Sequence, residues 1–420
     1  MKKIKLTCAH AIVKYLIAQK ILIDGKKEPL FAGAFGIFGH GNVACLGQAL
    51  EENKDKLPTY RGHHEQNMAL TGIAYSRAKR RQQIFVATSS VGPGSTNMVT
   101  AAAVAMSNRI PILFLPGDTY ANRMPDPVLQ QVEHFNNPSI TQNDAFKPVT
   151  KYFDRLTRPE QILQTLPQAI QTMLDPADCG PACISMAQDV QGETFEYPEE
   201  FFKETVHNIR RPRPDDFQIK QAAEKIKKSK KPIIISGGGV LYSEAEKEIS
   251  DFAIKHNIPV TATVMGIGCM KKDNPYYISA IGCLGEGSSN NLATDTDLAL
   301  AVGTKLGDFT TGSWTNFENE NFQLVSINTS RFDTTKHRAT PVVSDAKVGL
   351  KELSKELGEW KAPNDWYNRA LEERDNWDAY VTKESGPTNQ ELPSYAHAVG
   401  AVYRNADPSD IVVTAAGGLV

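Results

Sequence analysis

Hydrophobic and polar residues follow two recurring patterns along this chain, short apolar runs and longer segments with apolar residues at helical spacing. Runs such as Gln83–Thr88 and Pro232–Ser236 are short, mostly apolar and followed by glycine-rich turns, which predicts strands of a buried parallel sheet. The segments 8–19 and 216–228 repeat apolar residues on one helical face, which predicts amphipathic helices. Because strands and helices alternate, the pattern predicts an α/β protein with doubly wound parallel sheets.

The spacing of these elements predicts two complete domains and the start of a third. The three predicted domains are residues 1–195, 215–360 and 365–420. A proline-containing basic segment, Gln191–Asp216, is predicted to be the linker between the first two. Near the C-terminus, a predicted strand at Asp410–Ala416 has no further strands to pair with, and a lone strand cannot bury its apolar face. We therefore expect the third domain to be truncated.

Composition and charge narrow the classes of function. The net charge of −2 gives no electrostatic basis for a nucleic acid or an anionic membrane as a partner. The absence of a signal-peptide pattern and of a long apolar run predicts a cytoplasmic protein without a membrane span. The six cysteines have no zinc-site spacing and are predicted to be buried free thiols.

Loops that follow predicted strands in the first domain are the candidates for a ligand site. Phe35–Val43 contains three glycines, which let the backbone approach a ligand, but it lacks the Gly-Lys-Ser/Thr of a phosphate-binding P-loop. Within it, His40 either caps the following helix or contacts substrate and transfers protons. Val91–Asn97 joins a strand to a helix whose N-terminus can face a cofactor. The polar segment Thr119–Asn143 lacks periodicity, which is typical of functional or mobile loops.

Glu65 is the most informative acidic residue of the first domain. It follows His63 and His64 and lies just ahead of the helical pattern Asn67–Ala78. An isolated glutamate is usually a solvated surface residue. Here the order of elements argues for a function, because this helix is followed by a strand and then by the glycine-proline turn Val91–Asn97.

This order of motifs resembles the pyrimidine-binding domain of thiamine-diphosphate enzymes, in particular the acetohydroxyacid synthase branch. Four segments resemble more specifically the branch that hydrolyses a trihydroxycyclohexane-1,2-dione to 5-deoxyglucuronate in myo-inositol catabolism. These segments are Leu6-Thr7, Phe35–Val43, Tyr60–Ala69 and Thr88–Met98. Where general synthases carry Tyr-Pro-Gly-Gly, this chain has Ile37-Phe38-Gly39-His40, which argues against synthase chemistry and adds a titratable group.

The resemblance implies Glu65, His40 and His64 as catalytic residues. Glu65 would lie beside the pyrimidine and exchange a proton with its ring nitrogen, as a carboxyl in an apolar slot can do. A histidine, His40, His63 or His64, would stabilise negative charge that develops on a substrate oxygen. The cofactor-binding residues that the resemblance implies are Glu65, Phe38, Gly39, Pro93, Gly94 and Asn97.

The resemblance also implies thiamine diphosphate and Mg²⁺ as cofactors, with the metal ligands in a C-terminal part that this chain lacks. The truncated chain alone is therefore expected to be inactive. The implied partners are a small cyclic dione and further copies of the chain, in a homodimer or homotetramer, without nucleic acid or membrane. Some relatives hold a flavin in the central domain. The turn at Gly237–Gly239 lacks the full dinucleotide fingerprint, so we predict no tightly bound flavin here.

Two other functions remain open from the sequence. One is a synthase or decarboxylase that acts on 2-oxo acids. The other is a non-catalytic fragment that binds partner subunits through its thiamine-type fold.

Overall fold

The computed structural model describes residues 2–125, 127–132, 134–407 and 409–413. The chain forms two compact units that divide between Arg210 and Arg211. Each unit has a central sheet of parallel strands with helices between them, which confirms the predicted α/β class. Among the helices that the structure describes, none combines the length and the hydrophobicity that a membrane span requires.

The first unit is built around a seven-stranded parallel sheet with the strand order β5-β4-β6-β7-β10-β8, in which β9 also pairs with β10. Its strands are β1 (Lys3–Thr7), β2 (Gln19–Ile23), β3 (Lys26–Pro29), β4 (Phe31–Ile37), β5 (Thr59–Arg61), β6 (Ile84–Ser89), β7 (Leu113–Phe114), β8 (Gly117–Asp118), β9 (Tyr152–Leu156), β10 (Ala182–Ala187), β11 (Thr194–Pro198) and β12 (Thr205–His207). Its α-helices are α1 (Cys8–Ala18), α2 (Gly39–Asn42), α3 (Gln48–Glu51), α4 (Glu65–Ala78), α5 (Pro93–Thr96), α6 (Val99–Asn108) and α7 (Ile162–Met173).

The order of strands in this sheet reverses between β4 and β6. Strand β5 follows β4 in the chain and pairs with it on one side, whereas β6 pairs with β4 on the other side. Helix α4 packs on β6 at Gly72, where a side chain would contact Phe85. In open parallel sheets, ligands bind outside the carboxyl ends of the strands at such a reversal. The topology therefore points to the ends of β4 and β6.

The predicted linker Gln191–Asp216 is wrong over much of its length. Strand β11 pairs antiparallel with β1, and β12 pairs parallel with β2, so this segment returns to the first unit. The physical reason is an alternation of polar and apolar residues in β11, which buries Tyr197 completely in the core of the first unit. The prolines and arginines that suggested a linker lie after β12.

The second unit has a six-stranded, wholly parallel sheet in the order β15-β14-β13-β16-β17-β18. Its strands are β13 (Pro232–Ser236), β14 (Val260–Ala262), β15 (Tyr277–Ala280), β16 (Leu298–Val302), β17 (Gln323–Asn328) and β18 (Thr340–Val343). Its α-helices are α8 (Asp216–Lys228), α9 (Gly238–Tyr242), α10 (Glu246–His256), α11 (Gly287–Asp295), α12 (Asp308–Thr311), α13 (Arg331–Thr334), α14 (Ala346–Leu357), α15 (Asn364–Glu384) and α16 (Tyr395–Asn405). Along β13, Ile234 joins one hydrophobic cluster and Ile233 and Ile235 join another, so both faces of the sheet are covered.

The C-terminal segment departs from its prediction. Residues 410–413 form no strand, and Ile411 and Val413 are each 90% exposed, because no described strand lies beside them to pair with. The remainder of the predicted strand, 414–416, and the glycines after it lie outside the described residues. Helices α15 and α16 belong to the second unit, and the third domain stays a prediction.

The six cysteines are all free thiols, as predicted. Four of them, Cys8, Cys179, Cys183 and Cys269, are buried, whereas Cys45 is half-buried and Cys283 is exposed. Burial raises the pKa of the Cys8 thiol to about 12, so this side chain stays a neutral part of the core.

Candidate active site

A cleft of about 740 Å³ lies at the carboxyl ends of β4 and β6 in the first unit. Its lining residues are Ile37, Gly39, Glu65, Ser90, Pro93, Gly94, Thr96, Asn97 and Gln130. The strand ends, the start of α4 and the region of α5 therefore converge where the sheet topology reverses. Many of the lining groups are polar, so the cleft differs from the apolar slot expected around Glu65.

Glu65 is the first residue of α4 and is half-buried at the cleft. Its Oε2 accepts a hydrogen bond of 2.7 Å from Nδ2 of Asn97. The preceding residue, His64, is exposed and caps α4, because its Nδ1 accepts a hydrogen bond from the backbone N–H of Asn67. Nε2 of His64 also lies 3.4 Å from Nδ2 of Asn97. The amide of Asn97 thus bonds Glu65 and lies beside His64, which are two of the three residues that were predicted to be catalytic.

Gly94 leaves the other oxygen of Glu65 accessible. A Cβ at Gly94 would lie 3.4 Å from Oε1 of Glu65, so a larger side chain would crowd the carboxylate. Pro93 occupies the first position of α5, where a missing N–H costs no helical hydrogen bond. The turn that positions α5 therefore brings Asn97 to one carboxylate oxygen of Glu65 and leaves space at the other.

The loop after β4 contacts the turn after β6 through Gly39. Gly39 has a left-handed φ of 52°, and a Cβ there would lie 2.7 Å from the side chain of Ser90. The backbone N–H of Gly41 donates a hydrogen bond of 3.2 Å to Oγ of Ser90. Glycine is required here because both the backbone conformation and the close approach exclude a side chain.

His40 is turned toward a different segment. Its Nε2 lies 2.8 Å from the carbonyl oxygen of Leu129, and its side chain is not among the cleft-lining residues. Since a carbonyl oxygen only accepts, Nε2 carries the proton in this contact. His40 lies within α2, whose N-cap Phe38 makes no side-chain capping bond, so His40 does not cap that helix. A catalytic role for His40 stays a prediction.

Phe38 lies under the loop and not at the surface of the cleft. Its ring occupies the space beside Gly36, where a Cβ would lie 2.6 Å from the ring, and it packs on the core of the first unit. The structure therefore gives Phe38 a supporting position, and its predicted contact with cofactor stays a prediction.

Gln130 lines the cleft and was not identified from the sequence. It lies in the segment 119–143, and its φ of 62° is left-handed. Its carbonyl oxygen occupies the place where a Cβ of Gly92 would be. The only signal in the sequence was the length of this loop, which does not reveal which of its side chains reaches the cleft.

Buried polar side chains support α5 from below. Asn143 donates to Oγ of Ser185 at 2.8 Å and accepts from the hydroxyl of Ser95, which belongs to α5. Ser185 in turn donates to Asp118, whose carboxylate is paired with Nε of Arg155 at 2.8 Å. Because these groups are satisfied and largely inaccessible to water, they hold the α5 turn rigidly beside the cleft.

Two family models match the chain. The model described as the N-terminal TPP binding domain of thiamine pyrophosphate enzymes matches residues 18–137, a range that includes every cleft-lining residue. The model described as the central domain of thiamine pyrophosphate enzymes matches residues 219–353, within the second unit.

Curated relatives with high similarity share one name, 3D-(3,5/4)-trihydroxycyclohexane-1,2-dione hydrolase. The protein from Clostridium tetani is 46% identical over 91% of this chain and 60% of its own length. Those from Bacillus anthracis and Geobacillus thermodenitrificans are 40% and 42% identical over the whole chain and over 69% and 68% of their own lengths. This chain thus spans 60% of the length of the first of these relatives. The chain belongs to the thiamine pyrophosphate enzymes, in the same family as these trihydroxycyclohexanedione hydrolases.

Proposed function

We propose that this protein takes part in the thiamine-diphosphate-dependent hydrolysis of 3D-(3,5/4)-trihydroxycyclohexane-1,2-dione, with cleavage of a carbon–carbon bond to give 5-deoxyglucuronate. The observation that carries the proposal is Glu65, which lies in a cleft at the sheet reversal with one carboxylate oxygen bonded to Asn97 and the other accessible. The names of the relatives supply the substrate.

The residues of the cleft fit the pyrimidine end of the cofactor. A carboxylate with one free oxygen can exchange a proton with a ring nitrogen, and a cleft of about 740 Å³ is larger than one small ring needs. When bound, thiamine diphosphate supplies a carbon nucleophile that can also hold the electron pair of the broken bond. We assign to Glu65 the proton at the ring nitrogen and to Asn97 the orientation of Glu65.

Other residues of the site have supporting roles in this proposal. His64 caps the start of α4 and lies beside Asn97, which bonds the carboxylate of Glu65. His40 holds the segment that contains Gln130 at the cleft. Gly39, Pro93 and Gly94 are the other proposed cofactor contacts of the cleft lining.

The remaining parts of the proposal concern groups beyond this cleft. Within the described ranges, no three His, Cys, Asp or Glu side chains are grouped as a metal site requires. We propose that Mg²⁺ binds together with the diphosphate of the cofactor, at oxygen ligands. We also propose a cytoplasmic homodimer or homotetramer.

The test is Glu65→Gln in the complete gene product. The substitution keeps the size of the side chain and removes the group that exchanges a proton. We expect hydrogen–deuterium exchange at C2 of the cofactor to slow by about 10²–10⁴-fold, since general acid–base groups contribute on this scale. Glu52→Gln, which changes an exposed glutamate paired with His10, is the matched control and should leave the exchange rate unchanged. Exchange at the wild-type rate in Glu65→Gln would contradict the assignment.

Product analysis separates hydrolysis from synthase or decarboxylase chemistry. The complete gene product is supplied with the cyclic dione in one reaction and with pyruvate in another. Ring opening of the dione without turnover of pyruvate is the expected result. Turnover of pyruvate alone would favour the reading as a 2-oxo-acid enzyme.

A further inference from the structure

Gln130 is held in an uncommon backbone conformation at the edge of the cleft. Its φ of 62° lies in the left-handed region, where residues other than glycine are rare. Such conformations persist where contacts with the surrounding structure hold them in place, and they are enriched at functional sites. The proton transfer proposed for Glu65 makes no use of Gln130, so this conformation needs another explanation.

Two contacts fix this part of the segment to the two turns that form the cleft. The carbonyl oxygen of Leu129 bonds to Nε2 of His40 at 2.8 Å, in the loop after β4. The carbonyl oxygen of Gln130 packs directly against Gly92, in the turn after β6. Gly92 itself has a left-handed φ of 71°, so only glycine permits this contact. Both turns therefore help to bring Gln130 to the cleft.

The side chain of Gln130 is free to bind a ligand. Gln130 lines the cleft and is solvent-exposed, and no described residue hydrogen-bonds to its side-chain amide. The amide of Asn97, by contrast, is committed to Glu65. A primary amide can both donate and accept a hydrogen bond. It can therefore pair with a hydroxyl group, which also donates and accepts. A ring hydroxyl that enters the cleft loses its bonds to water, and it binds well only if such a partner replaces them.

We propose that Gln130 is a specificity residue whose side-chain amide hydrogen-bonds a ring hydroxyl of the substrate. The cleft thereby favours a polyhydroxylated cyclic dione over the unsubstituted ring, cyclohexane-1,2-dione. This inference rests on the proposed function for the identity of the ring, but not on the role of Glu65 in catalysis.

The test measures substrate binding in the complete gene product, saturated with thiamine diphosphate and Mg²⁺. The protein also carries Glu65→Gln, because this change is expected to stop turnover. The dione then stays intact during the titration, and its binding equilibrium can be measured. Calorimetry compares the trihydroxylated dione with cyclohexane-1,2-dione. Gln130→Ala removes the amide and keeps the left-handed strain, whereas Gln130→Gly removes the amide and relieves the strain. Both variants should bind the hydroxylated dione about tenfold more weakly and the bare dione unchanged, since one neutral hydrogen bond is lost.

Gln131→Ala is the matched control, because Gln131 is the neighbouring glutamine and does not line the cleft. It should leave both affinities unchanged. Equal weakening for the two rings, no weakening, or normal affinity in Gln130→Gly alone would each overturn the inference. Turnover by the Glu65→Gln protein would contradict the role of Glu65 instead, and the ratio of kcat/KM for the two diones would then decide the role of Gln130.

Discussion

The carboxyl edges of the two parallel sheets both bring glycines into close contact, but the contacts differ. In the first unit, Gly39 meets the side chain of Ser90, Gly41 lies against the backbone of Val91, and the cleft lies beside these contacts. In the second unit, the turns after β13 and β16 meet backbone to backbone. A Cβ at Gly239 would lie 2.6 Å from Cα of Gly303, and the N–H of Gly239 donates to the carbonyl of Gly303 at 2.9 Å.

A reversal of strand order therefore locates a possible site, and the contacts of the adjoining turns decide its shape. Both sheets reverse at a glycine-rich turn, between β4 and β6 and between β13 and β16. In the second unit the turns after β13 and β16 are in direct backbone contact at Gly239 and Gly303. That the second unit holds no tightly bound flavin stays a prediction, which visible absorbance of the purified protein measures directly.

Among the changes that test this comparison of the two units, the largest effect is expected from Gly92→Ala in the first unit. The new methyl group would overlap the carbonyl oxygen of Gln130, and φ at this position is 71°. We expect the segment around Gln130 to be displaced and kcat/KM for the cyclic dione to fall by about 100-fold or more, as misplacement of a site can cost. Gly25→Ala is the control, because Gly25 has a φ of 73° but open space around it. A similar loss in both variants would mean that backbone strain alone is responsible.

In the second unit the corresponding change should act on stability. Gly239→Ala pushes the two paired turns apart, and overpacking of this kind costs roughly 1–3 kcal/mol of unfolding free energy. All four tryptophans, Trp314, Trp360, Trp366 and Trp377, lie in the second unit, so their fluorescence reports its unfolding in denaturant. Gly307→Ala, at an open position after β16, should be nearly neutral. Normal stability of Gly239→Ala, with altered turnover, would place a functional site at this turn.

His40→Ala tests the contact between the loop after β4 and the segment of Gln130. The variant loses the hydrogen bond to Leu129, so we expect turnover of the cyclic dione to fall about tenfold, while binding of thiamine diphosphate changes less. His40→Gln, which can still donate to a carbonyl, should recover part of the loss. If turnover in His40→Ala is unchanged across neutral pH, the contact has only a structural role.

The sequence predicted the regular parts of the fold, and its resemblance implied both Glu65 and Asn97 as cofactor-binding residues, which lie together at the cleft. Helix α8 and strand β13 begin and end where their patterns place them, because continuous apolar runs and helical periodicity are local signals. The pairing of β11 with β1 is a long-range event between short, half-polar strands, and no local pattern records it. The position of Gln130 depends on a contact with Gly92 across the chain, so the sequence shows the loop and not its geometry.

The smallest expected effect concerns His256, a fully buried histidine of the second unit. Its Nδ1 lies 2.8 Å from the carbonyl oxygen of Trp360, and its Nε2 lies 2.9 Å from Oγ of Ser354. The carbonyl can only accept, so Nδ1 carries the proton and Nε2 accepts from the serine hydroxyl in the neutral ring. Burial lowers the pKa of His256 below its ordinary value, although the bond to Trp360 opposes this shift. Between the lowered pKa and the ordinary value of about 6.5, the unfolded chain binds more protons than the folded one. The unfolding free energy should therefore be intact above about pH 6.5 and should fall as the pH decreases, by at most about 1.4 kcal/mol per pH unit.

Tryptophan fluorescence in denaturant at several pH values measures this slope of unfolding free energy against pH. The slope of unfolding free energy against pH should flatten in His256→Gln. The control His63→Gln changes an exposed histidine of the first unit and should keep the wild-type slope. An unchanged slope in His256→Gln would assign the pH dependence of the second unit to other groups.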